Sequence, residues 1–532
     1  MTLLTHIKHN AQYLPAKLAV SDGPVKYGWS EFDTRTRNLA ASLASRGVKK
    51  GNRVGVLMSN GYAYLEAYYA IPRLGAIIVP LNIRYAPAEF SFAINDSGAV
   101  ALLVEDTFWP LYEKFAPQLE TAQQVAQLVV RYNRPGQPVP EDALDYETLV
   151  REGAAETAYQ DAEIDEEDVV GLFYTGGTTG RSKGVMLTHK NLTHNALITV
   201  IPGQVTSRTV YCHVAPMFHI ADAAPAISYT MMGACHTFLP KFDAQKALEI
   251  IERERVNHIG LVPTMINLML QVPTIKDYDL SSLELIFSGG SPTPVEVLRK
   301  MRQLLPCKLR QGYGMTESSP TITVLDWEDM LRAMEAPPDS PATRLLGSCG
   351  VPGINIEVRL VDSLDREVPV GEIGEVTVKA PNVMKGYWNL PQETATALRN
   401  GWLHTGDLAI KDENGYFYIV DRKKDMIISG GENIYSAEVE NALYCHPAVL
   451  EAAVIGVPDP KWGERVHAVV VLKPGWEATE AEIIARCREF ISGYKVPKSV
   501  EFVSEMPKSG AGKILKRNLR DKYWQSGLVQ VS

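Results

Sequence analysis

Cysteine is scarce in this sequence, and its spacing excludes two common ways of stabilising a fold. The 532 residues include six cysteines, none at the paired or metal-ligand spacings of a disulfide framework or a zinc site. We therefore expect reduced thiols that are buried like other small apolar side chains. The six are Cys212, Cys235, Cys307, Cys349, Cys445 and Cys487.

Long hydrophobic runs are also missing. The longest apolar stretch, residues 62–81, is interrupted by Glu66 and Arg73, so it does not predict a transmembrane segment. The N-terminal residues lack the uninterrupted apolar core of a signal peptide. Both observations favour a cytoplasmic enzyme.

An excess of positive charge is absent as well. Lys and Arg number 53 against 62 Asp and Glu, a formal net charge of −9, which argues against nucleic acid as the main partner. A hydrophobic fraction of 45% with 22% charged residues is that of a soluble globular protein with a substantial core. A chain of 532 residues exceeds one ordinary domain, so two or more are expected.

What the sequence does contain is one loop dense in glycine and hydroxyl side chains. Residues 175–184 read T-G-G-T-T-G-R-S-K-G between two short apolar runs, Val169–Tyr174 and Val185–Leu187. Glycine lets backbone amides turn toward an anion, hydroxyl groups add donors, and Arg181 and Lys183 offset phosphate charge. The loop predicts a polyphosphate site, with a flexible hairpin tip as the alternative. The candidate binding residues are Thr175, Gly176, Gly177, Thr178, Thr179, Gly180 and Lys183.

This loop differs from a Walker A motif. Ser182 and Gly184 flank Lys183, where that motif has a glycine before the lysine and Ser or Thr after it. The predicted order is strand–loop–strand, and Thr188 is placed to cap the helix that follows. Taken alone, the loop leaves kinases and dinucleotide enzymes as competing interpretations.

The first 130 residues alternate between helical and strand patterns. Helices are predicted at Trp29–Arg46 and Ala63–Leu74, and strands at Arg53–Met58, Ala76–Val79 and Ala99–Val104. Strands separated by helices indicate a parallel α/β sheet.

The same rhythm resumes between residues 168 and 345 and brings two glycine-rich turns to one edge. The strand Leu283–Phe287 ends in S-G-G-S-P, with Pro294 expected as the first residue of the next helix, and Lys308–Arg310 leads into Q-G-Y-G-M-T-E. Open α/β sheets bind ligands outside the carboxyl ends of their strands. The candidate residues at this edge are Gly290, Ser291, Pro292, Gln311, Gly312, Tyr313 and Gly314.

The rest of the chain changes character twice. Short strands and glycine turns over residues 346–420 predict a small antiparallel β subdomain. A charged D-R-K-K-D segment then precedes an α+β pattern that runs from Ser436 to the end. We expect two domains, residues 1–421 and 422–532, with a hinge between them.

Five ordered motifs make nearly the whole chain resemble the adenylate-forming superfamily of acyl-CoA synthetases, adenylation domains and beetle luciferases. The glycine-rich loop is the first, and Y-G-M-T-E (Tyr313–Glu317) is the second. The others are G-W-L-H-T-G-D (Gly401–Asp407), Y-I-V-D-R-K-K-D (Tyr418–Asp425) and P-K-S-G-A-G-K-I (Pro507–Ile514). The resemblance implies a large N-terminal domain of parallel α/β sheets with a small β-barrel-like subdomain, and a smaller, mobile α+β C-terminal domain.

This resemblance implies an ATP-dependent acid–CoA ligase that uses Mg²⁺ and coenzyme A. A carboxylic acid would react with ATP to give an acyl-adenylate and pyrophosphate, and the acyl group would then pass to CoA. Lys513 matches the catalytic lysine, with an exposed lysine in a basic tail as its alternative. Glu317 matches the magnesium ligand, and Thr316 is placed to bond the α-phosphate.

The motifs also assign residues to ribose, hinge, CoA and acid. Asp407 and Arg422 match the ribose-binding pair, and a solvated arginine in a charge run is the alternative for Arg422. Lys424 matches the hinge position. His219 matches an aromatic residue at the mouth of the acid pocket, although a lone histidine beside apolar residues is equally well a satisfied core residue. The glycines expected to face the pantetheine of CoA are Gly430 and Gly431.

The acid itself is the least constrained expectation. Small residues follow His219 at Ala221, Ala223, Ala224 and Ala226, which predicts room for a medium- or long-chain fatty acid. Aryl-propenoic acids of the feruloyl or 4-coumaroyl type are the alternative, although phenylpropanoid enzymes often have a tyrosine where Ala221 stands. A stand-alone adenylation enzyme that loads a carrier protein and a luciferase-like monooxygenase are further alternatives. A homodimer is a further expectation.

Overall fold

The structure is a computed structural model that describes residues 1–120, 128–135, 144–175, 182–290, 293–337, 340–508 and 514–524. The chain divides into two compact units. The first comprises Met1–Val358 and Val378–Leu403, and the second comprises Arg359–Thr377 and His404–Ser532. The domain boundary expected at residue 421 stays a prediction.

A seven-stranded sheet of the first unit carries the glycine-rich loop. With strands numbered in chain order, it consists of β3 (Arg53–Leu57), β4 (Ile77–Pro80), β5 (Ala101–Glu105), β6 (Leu128–Tyr132), β7 (Val169–Thr175), β8 (Lys183–Thr188) and β18 (Gly386–Tyr387). Their order across the sheet is β18-β8-β7-β4-β3-β5-β6. β3 to β7 pair in parallel, which confirms the predicted parallel α/β sheet, and β8 turns back antiparallel to β7.

A nine-stranded sheet of the same unit carries the second predicted edge. It consists of β1 (Leu18–Asp22), β2 (Val25–Gly28), β9 (Val210–His213), β10 (Cys235–Phe238), β11 (His258–Gly260), β12 (Leu285–Gly289), β13 (Lys308–Gly314), β14 (Thr321–Leu325) and β15 (Val351–Pro352). Their order is β15-β14-β13-β12-β11-β9-β10-β1-β2. The hairpin of β1 and β2 was not predicted, because both strands are short and join this sheet only through β10, more than 200 residues later.

Helices cover these sheets. Those of the first unit are α1 (Leu3–Tyr13), α2 (Trp29–Ser45), α3 (Tyr62–Arg73), α4 (Pro87–Ser97), α5 (Trp109–Phe115), α6 (Tyr146–Glu152), α7 (His189–Val200), α8 (Ile220–Met231), α9 (Ala244–Glu254), α10 (Pro263–Leu270), α11 (Val295–Leu304), α12 (Trp327–Glu335) and α13 (Pro391–Ala397). Thr188 caps α7 as expected, since its hydroxyl accepts from the Asn191 N–H at 3.1 Å. Pro294 is the N-cap of α11 and not its first residue.

The core of the seven-stranded sheet explains why its strands read as nearly continuous apolar runs. β4 and β5 are buried along their whole length, as parallel strands covered on both faces must be. Leu102, Val104, Phe90 and Phe115 pack together in this core. Complete burial of each such side chain stabilises the fold by about 1.5–3 kcal/mol.

Two five-stranded sheets complete the architecture. One, in the order β16-β17-β20-β19 with β21 beside β20, contains β16 (Glu357–Val361), β17 (Ile373–Lys379), β19 (Leu398–Arg399), β20 (Trp402–Lys411) and β21 (Phe417–Arg422). The other, in the order β23-β22-β25-β24 with β26 beside β25, contains β22 (Ile427–Ser429), β23 (Glu432–Ile434), β24 (Val449–Asp459), β25 (Gly463–Leu472) and β26 (Ser499–Phe502). The helices of the second unit are α14 (Ser436–Tyr444), α15 (Glu480–Arg488) and α16 (Lys516–Trp524). The predicted fold class is confirmed.

Two expectations from composition can be compared with the structure. All six cysteines are free, and five are buried, but Cys445 is exposed, so the expectation of burial is wrong for that residue. None of the helices in the described parts of the chain has the length and apolar character needed to cross a bilayer.

Candidate active site

Glycines lie at the carboxyl ends of the neighbouring strands β12 and β13. Gly289 and Gly312 are direct partners in these parallel neighbours, and a Cβ on Gly289 would lie 3.1 Å from the carbonyl oxygen of Gly312. Gly290 follows with φ +84°, a left-handed conformation that favours glycine. Tyr313, half-buried, lies next along β13. Two adjacent glycines and one aromatic ring suit a flat heteroaromatic group such as adenine.

Two predicted residues of this edge, Gln311 and Gly314, have a structural role. The buried Gln311 side chain accepts from the Thr293 N–H through Oε1 at 2.8 Å and so ties Thr293 to β13. Gly314 has no room for a side chain, because a Cβ there would lie 1.7 Å from the Pro320 carbonyl oxygen. Both residues shape the edge through its backbone.

Glu317 lies just beyond β13, in a short 3₁₀ turn, Thr316–Ser318. Its side chain is buried, and Oε1 accepts from the hydroxyl of Tyr387 at 2.9 Å. Its carbonyl oxygen accepts from the Met384 N–H at 2.8 Å. Position and orientation of this carboxylate are therefore held from the backbone and from the side chain.

The Glu317 carboxylate is a suitable ligand for a magnesium ion. Mg²⁺ prefers hard oxygen ligands and is held in nucleotide sites by one or two carboxylates together with phosphate oxygens. Within the described residues there is no group of three or more His, Cys, Asp or Glu side chains that could hold a metal ion by itself. Glu317 and the phosphates of a bound nucleotide would share that task.

The predicted strand–loop–strand order of the glycine-rich loop is confirmed by the antiparallel pairing of β7 with β8. Thr175 is the direct partner of Lys183, and its hydroxyl lies 3.5 Å from the Lys183 carbonyl oxygen. The Lys183 ammonium lies over the ring of Tyr387, 4.9 Å from its centroid. The other predicted residues of this loop, Gly176, Gly177, Thr178, Thr179 and Gly180, lie outside the described residues.

Three more predicted site residues also lie outside the described residues: Ser291, Pro292 and Lys513. The chain on either side of Lys513 is described. Lys508 and Ile514 form an antiparallel bridge, and the Leu515 N–H donates to the Pro507 carbonyl oxygen at 2.8 Å. Backbone pairing thus joins the described residues on either side of Lys513.

In the second unit the structure brings the two predicted ribose-binding residues together. Asp407 on β20 is the direct partner of Arg422 on β21, and Arg422 Nε lies 3.3 Å from Asp407 Oδ1. Asp407 is buried, whereas Arg422 is half-exposed, and the Asp407 N–H donates to the Thr405 hydroxyl at 3.1 Å. A fixed carboxylate can accept hydrogen bonds from two neighbouring hydroxyl groups, as a ribose presents them.

The predicted hinge is held by the last helix. Arg520 on α16 donates through Nη1 to the Lys424 carbonyl oxygen at 3.3 Å and through Nη2 to Asp425 Oδ1 at 3.2 Å. The Lys424 side chain itself is exposed. Arg520 therefore contacts Lys424 through its backbone carbonyl oxygen.

The predicted CoA glycines adopt left-handed backbone conformations, with φ +62° at Gly430 and +88° at Gly431. A Cβ on Gly430 would lie 2.7 Å from the Trp462 ring, and the Gly430 N–H donates to the Trp462 carbonyl oxygen at 2.8 Å. Gly430 is therefore required twice, by its φ angle and by the indole against it.

His219 is the N-cap of α8 and lies half-buried. Its Nδ1 accepts from the Ala221 N–H at 3.2 Å, so that nitrogen is unprotonated in this arrangement. Only part of the alanine series after it can border an open pocket. Ala221 is exposed, but Ala223 and Ala226 are fully buried in the core and add no open space.

Beneath α8 the structure shows a buried polar network that the sequence did not predict. Asp222 accepts from the Tyr211 hydroxyl at 2.9 Å and lies 2.7 Å from His213 Nδ1. His213 Nε2 lies 2.9 Å from His236, which is 3.1 Å from the Thr230 hydroxyl. Burial lowers the pKa of His236 well below its usual value and raises that of Tyr211. The one signal in the sequence was an aspartate inside an alanine-rich helix.

Two family models match the chain. The model for AMP-binding enzymes matches residues 7–388, and the model for the AMP-binding enzyme C-terminal domain matches residues 438–513. The chain belongs to the AMP-binding enzyme family. A feruloyl-CoA synthase from Amycolatopsis sp. is 41% identical to this family member over 515 residues, 96% of this chain and 97% of that protein.

Further relatives agree with this assignment. A long-chain-fatty-acid–CoA ligase from Bacillus subtilis (strain 168) is 35% identical over 545 residues, 98% of this chain and 94% of that protein. The structure of o-succinylbenzoate coenzyme A synthetase from Bacillus subtilis with ATP and magnesium superposes with a TM-score of 0.81 at 29% identity, over 97% of this chain and 98% of that one.

The predicted superfamily and reaction class are confirmed: this family member is an adenylate-forming acid–CoA ligase. The predicted use of ATP, magnesium and CoA is confirmed with that class. The roles of individual residues stay predictions.

Proposed function

We propose that this AMP-binding enzyme activates a compact, ring-bearing carboxylic acid, an aryl-propenoic acid of the ferulate or coumarate type. The observation that carries the proposal is the buried polar network beneath α8. Similarity to a feruloyl-CoA synthase at 41% identity supports the same substrate class.

The network lies beneath α8, the helix expected to line the acid pocket. Asp222 belongs to the first turn of α8, directly after His219 and Ala221. Tyr211 lies under the end of β11, since a Cβ on Gly260 would be 2.7 Å from its hydroxyl. Asp222, His213 and Tyr211 are fully buried there. A long alkyl chain directed into this part of the core would press against a carboxylate and two imidazoles, which is unfavourable.

A medium-chain aliphatic acid is the second candidate, because of Ala221. This residue is exposed, and phenylpropanoid enzymes often have a tyrosine at the matching position. A small side chain there leaves room for an unbranched chain beside the helix. Similarity to a long-chain-fatty-acid–CoA ligase at 35% identity also supports an aliphatic acid.

The proposed chemistry has two steps. A carboxylate oxygen of the acid attacks the α-phosphorus of ATP, the bond to the bridging oxygen breaks, and pyrophosphate leaves. The CoA thiol then loses its proton to solvent and its sulfur attacks the acyl carbonyl, so that AMP leaves. Lys513 stabilises charge on the carboxylate and α-phosphate, and Thr316 bonds the same phosphate. Glu317 would hold magnesium, which offsets negative charge on the phosphates.

The remaining predicted residues bind and orient. Lys183 and the glycine-rich loop hold the outer phosphates, and Tyr313 with Gly289 and Gly312 borders the adenine. Asp407 and Arg422 hold the ribose. Lys424 is the hinge about which a C-terminal domain from residue 422 turns between the two steps, and Gly430 and Gly431 border the pantetheine.

A panel of acids tests the proposal. We expect ATP–pyrophosphate exchange and CoA-thioester formation with ferulate and coumarate at a kcat/KM at least about tenfold above that for octanoate, with palmitate lowest. The highest kcat/KM with palmitate would refute the compact-acid proposal.

A second measurement separates the two candidates. Ala221→Tyr is expected to leave aryl-propenoic acids within about threefold and to lower kcat/KM for octanoate more than about tenfold, because the ring fills the space beside α8. Ala481→Tyr, an exposed alanine in the first turn of α15, is the control. An equal loss for both acids would argue against a pocket beside Ala221.

Two further features are proposals from the sequence alone. The first is a cytoplasmic location, which cell fractionation tests. A homodimer is tested by light scattering after gel filtration at several protein concentrations, where a mass of 58.7 kDa throughout would show a monomer.

A further inference from the structure

Tyr387 connects two groups that the proposed mechanism uses separately. It lies in β18, a two-residue strand whose Tyr387 is the direct partner of Val185 in β8. The Trp388 N–H donates to the Gly184 carbonyl oxygen at 2.8 Å, and the Lys385 N–H donates to Met186 at 3.0 Å. The backbone of Tyr387 is thus fixed to the strand that begins at Lys183.

The side chain of Tyr387 meets both charged groups. Its hydroxyl donates to Glu317 Oε1 at 2.9 Å, and its ring face lies 4.9 Å from the Lys183 ammonium. A cation over a partly desolvated tyrosine ring is attracted by the ring quadrupole. One side chain therefore contacts the carboxylate through its edge and the ammonium through its face.

The hydroxyl of Tyr387 is placed to fix the orientation of the Glu317 carboxylate. It donates to one carboxylate oxygen, Oε1, at 2.9 Å. A donor on a backbone that is itself paired with β8 can hold that carboxylate in one orientation. A hydrogen bond of this kind to a metal ligand typically accounts for about 10–100-fold in metal affinity or activity.

We propose that Tyr387 is a positioning residue that sets the carboxylate of Glu317 for magnesium and the ammonium of Lys183 for the outer phosphates. The proposal rests on the roles given to these two residues under the proposed function. Its two contacts affect the binding of different ligands, so their effects can be measured separately. The hydroxyl affects magnesium binding through Glu317, and the ring affects phosphate binding through Lys183.

Two variants divide these contacts. Tyr387→Phe keeps the ring and loses the hydroxyl. We expect it to raise the Mg²⁺ concentration for half-maximal pyrophosphate exchange about tenfold, with kcat at saturating Mg²⁺ within about twofold. Tyr387→Leu loses both contacts, and we expect an additional rise of about fivefold in KM for pyrophosphate, as for a lost cation–π contact of about 1 kcal/mol.

A binding measurement supports the kinetics without relying on turnover. Titration calorimetry with ATP, in the presence and absence of Mg²⁺, should show that Tyr387→Phe binds metal-free ATP like the parent protein. The same variant should gain about tenfold less affinity than the parent when Mg²⁺ is added. Loss of metal-free ATP binding in Tyr387→Phe would contradict the proposal, since the ring over Lys183 is retained.

Tyr62→Phe is the matched control. Its hydroxyl donates to a glutamate in the same unit, Glu147 Oε1, at 2.8 Å. This variant should leave Mg²⁺ dependence unchanged, and a shift equal to that of Tyr387→Phe would reduce the effect to general destabilisation and overturn the proposal.

Glu317→Gln tests the assignment of the metal ligand separately from the positioning role of Tyr387. If this variant leaves Mg²⁺ dependence unchanged, the proposed metal ligand is wrong. If Glu317→Gln shifts the dependence and Tyr387→Phe does not, the metal ligand stands and the positioning role of Tyr387 is refuted.

Discussion

At the ends of β12 and β13 the first unit offers backbone and glycine, whereas the segment Arg422–Gly431 of the second offers charged side chains at its surface. Gly289 and Gly314 are confined by neighbouring main-chain atoms. Arg422 is half-exposed, and its pairing with Asp407 is open to solvent on one side. A side chain added at a confined glycine displaces main-chain atoms, and this effect does not depend on salt. The interaction between exposed charges, in contrast, weakens as the salt concentration rises.

The largest expected effect is at Gly314. Gly314→Ala places a Cβ on the Pro320 carbonyl oxygen, so one of the two chain segments must move. We expect adenylation to fall by more than about 100-fold, because displacement of the edge removes the geometry that the nucleotide needs. Pyrophosphate exchange measures it. Gly347→Ala, where a Cβ would meet nothing within 4 Å, should stay within about twofold. Equal losses of activity in the two variants would contradict a specific role of this edge in nucleotide binding.

A smaller effect is expected at Asp407. Asp407→Asn removes the charge that accepts the ribose hydroxyls, and charge-assisted hydrogen bonds contribute about 1.5–3 kcal/mol each. We expect kcat/KM for ATP to fall about 30-fold, with a weaker dependence on salt than in the parent protein.

The control for Asp407 is another aspartate–arginine pair in the same unit. Asp362 accepts from Arg366 Nε at 2.9 Å. Asp362→Asn should leave kcat/KM for ATP unchanged. A similar fall in both variants would show that charge near the surface, and not the ribose contact, controls the reaction.

Gly430→Ala should act on one half of the reaction. The added Cβ meets the Trp462 ring at 2.7 Å and forces an alanine into φ +62°. We expect thioester formation to slow about tenfold while pyrophosphate exchange stays within about twofold, since strain of about 1–2 kcal/mol falls on the proposed CoA contact. Gly475→Ala is the control, because it carries the same backbone strain at φ +78° but its Cβ would meet no atom within 4 Å. Equal slowing of both half-reactions by Gly430→Ala would reject the CoA assignment.

The smallest effect on activity is expected from the buried histidine of β11. Burial lowers the pKa of His258 to about 4, and its Nδ1 lies 2.8 Å from the Tyr229 hydroxyl. Because the unfolded chain binds a proton near pH 6.5, this histidine costs stability as pH falls from about 6.5 to about 4. The loss is about 2 kcal/mol at pH 5 relative to pH 7.

Urea unfolding at both pH values measures this loss. His258→Asn should reduce the difference between pH 7 and pH 5 by about 2 kcal/mol. His9→Asn, at an exposed position, should not change it. An unchanged difference in His258→Asn would assign the acid sensitivity to other buried groups, such as His189 or His6, whose pKa values burial also lowers to about 4.

Sequence reasoning predicted the features that depend on local pattern. The partners Gly289 and Gly312 follow from two glycine-rich strand ends, because adjacent parallel strands end at one edge. The hairpin around the glycine-rich loop follows from two apolar runs of strand length. In both cases the residues that meet are near in sequence or are related by a rule of sheet topology.

The features that were missed depend on residues from distant elements. His213, Asp222 and His236 come from a strand, a helix and another strand, with no spacing that marks them as a set. The helical register of α8 decides that Ala221 is exposed and Ala223 is buried, and a run of small residues does not reveal that register. Tyr387 reaches Glu317 only through the pairing of a two-residue strand.

That two-residue strand has a consequence for synthesis on the ribosome. β8 pairs on one side with β7, which precedes it directly, and on the other side with β18, about 200 residues later. While the intervening chain is being translated, the outer edge of β8 carries unpaired backbone groups, the type of edge that recruits other strands. A nascent chain stalled between these two strands would expose that edge and lack Tyr387, so chaperone dependence should fall sharply once residue 387 has left the exit tunnel.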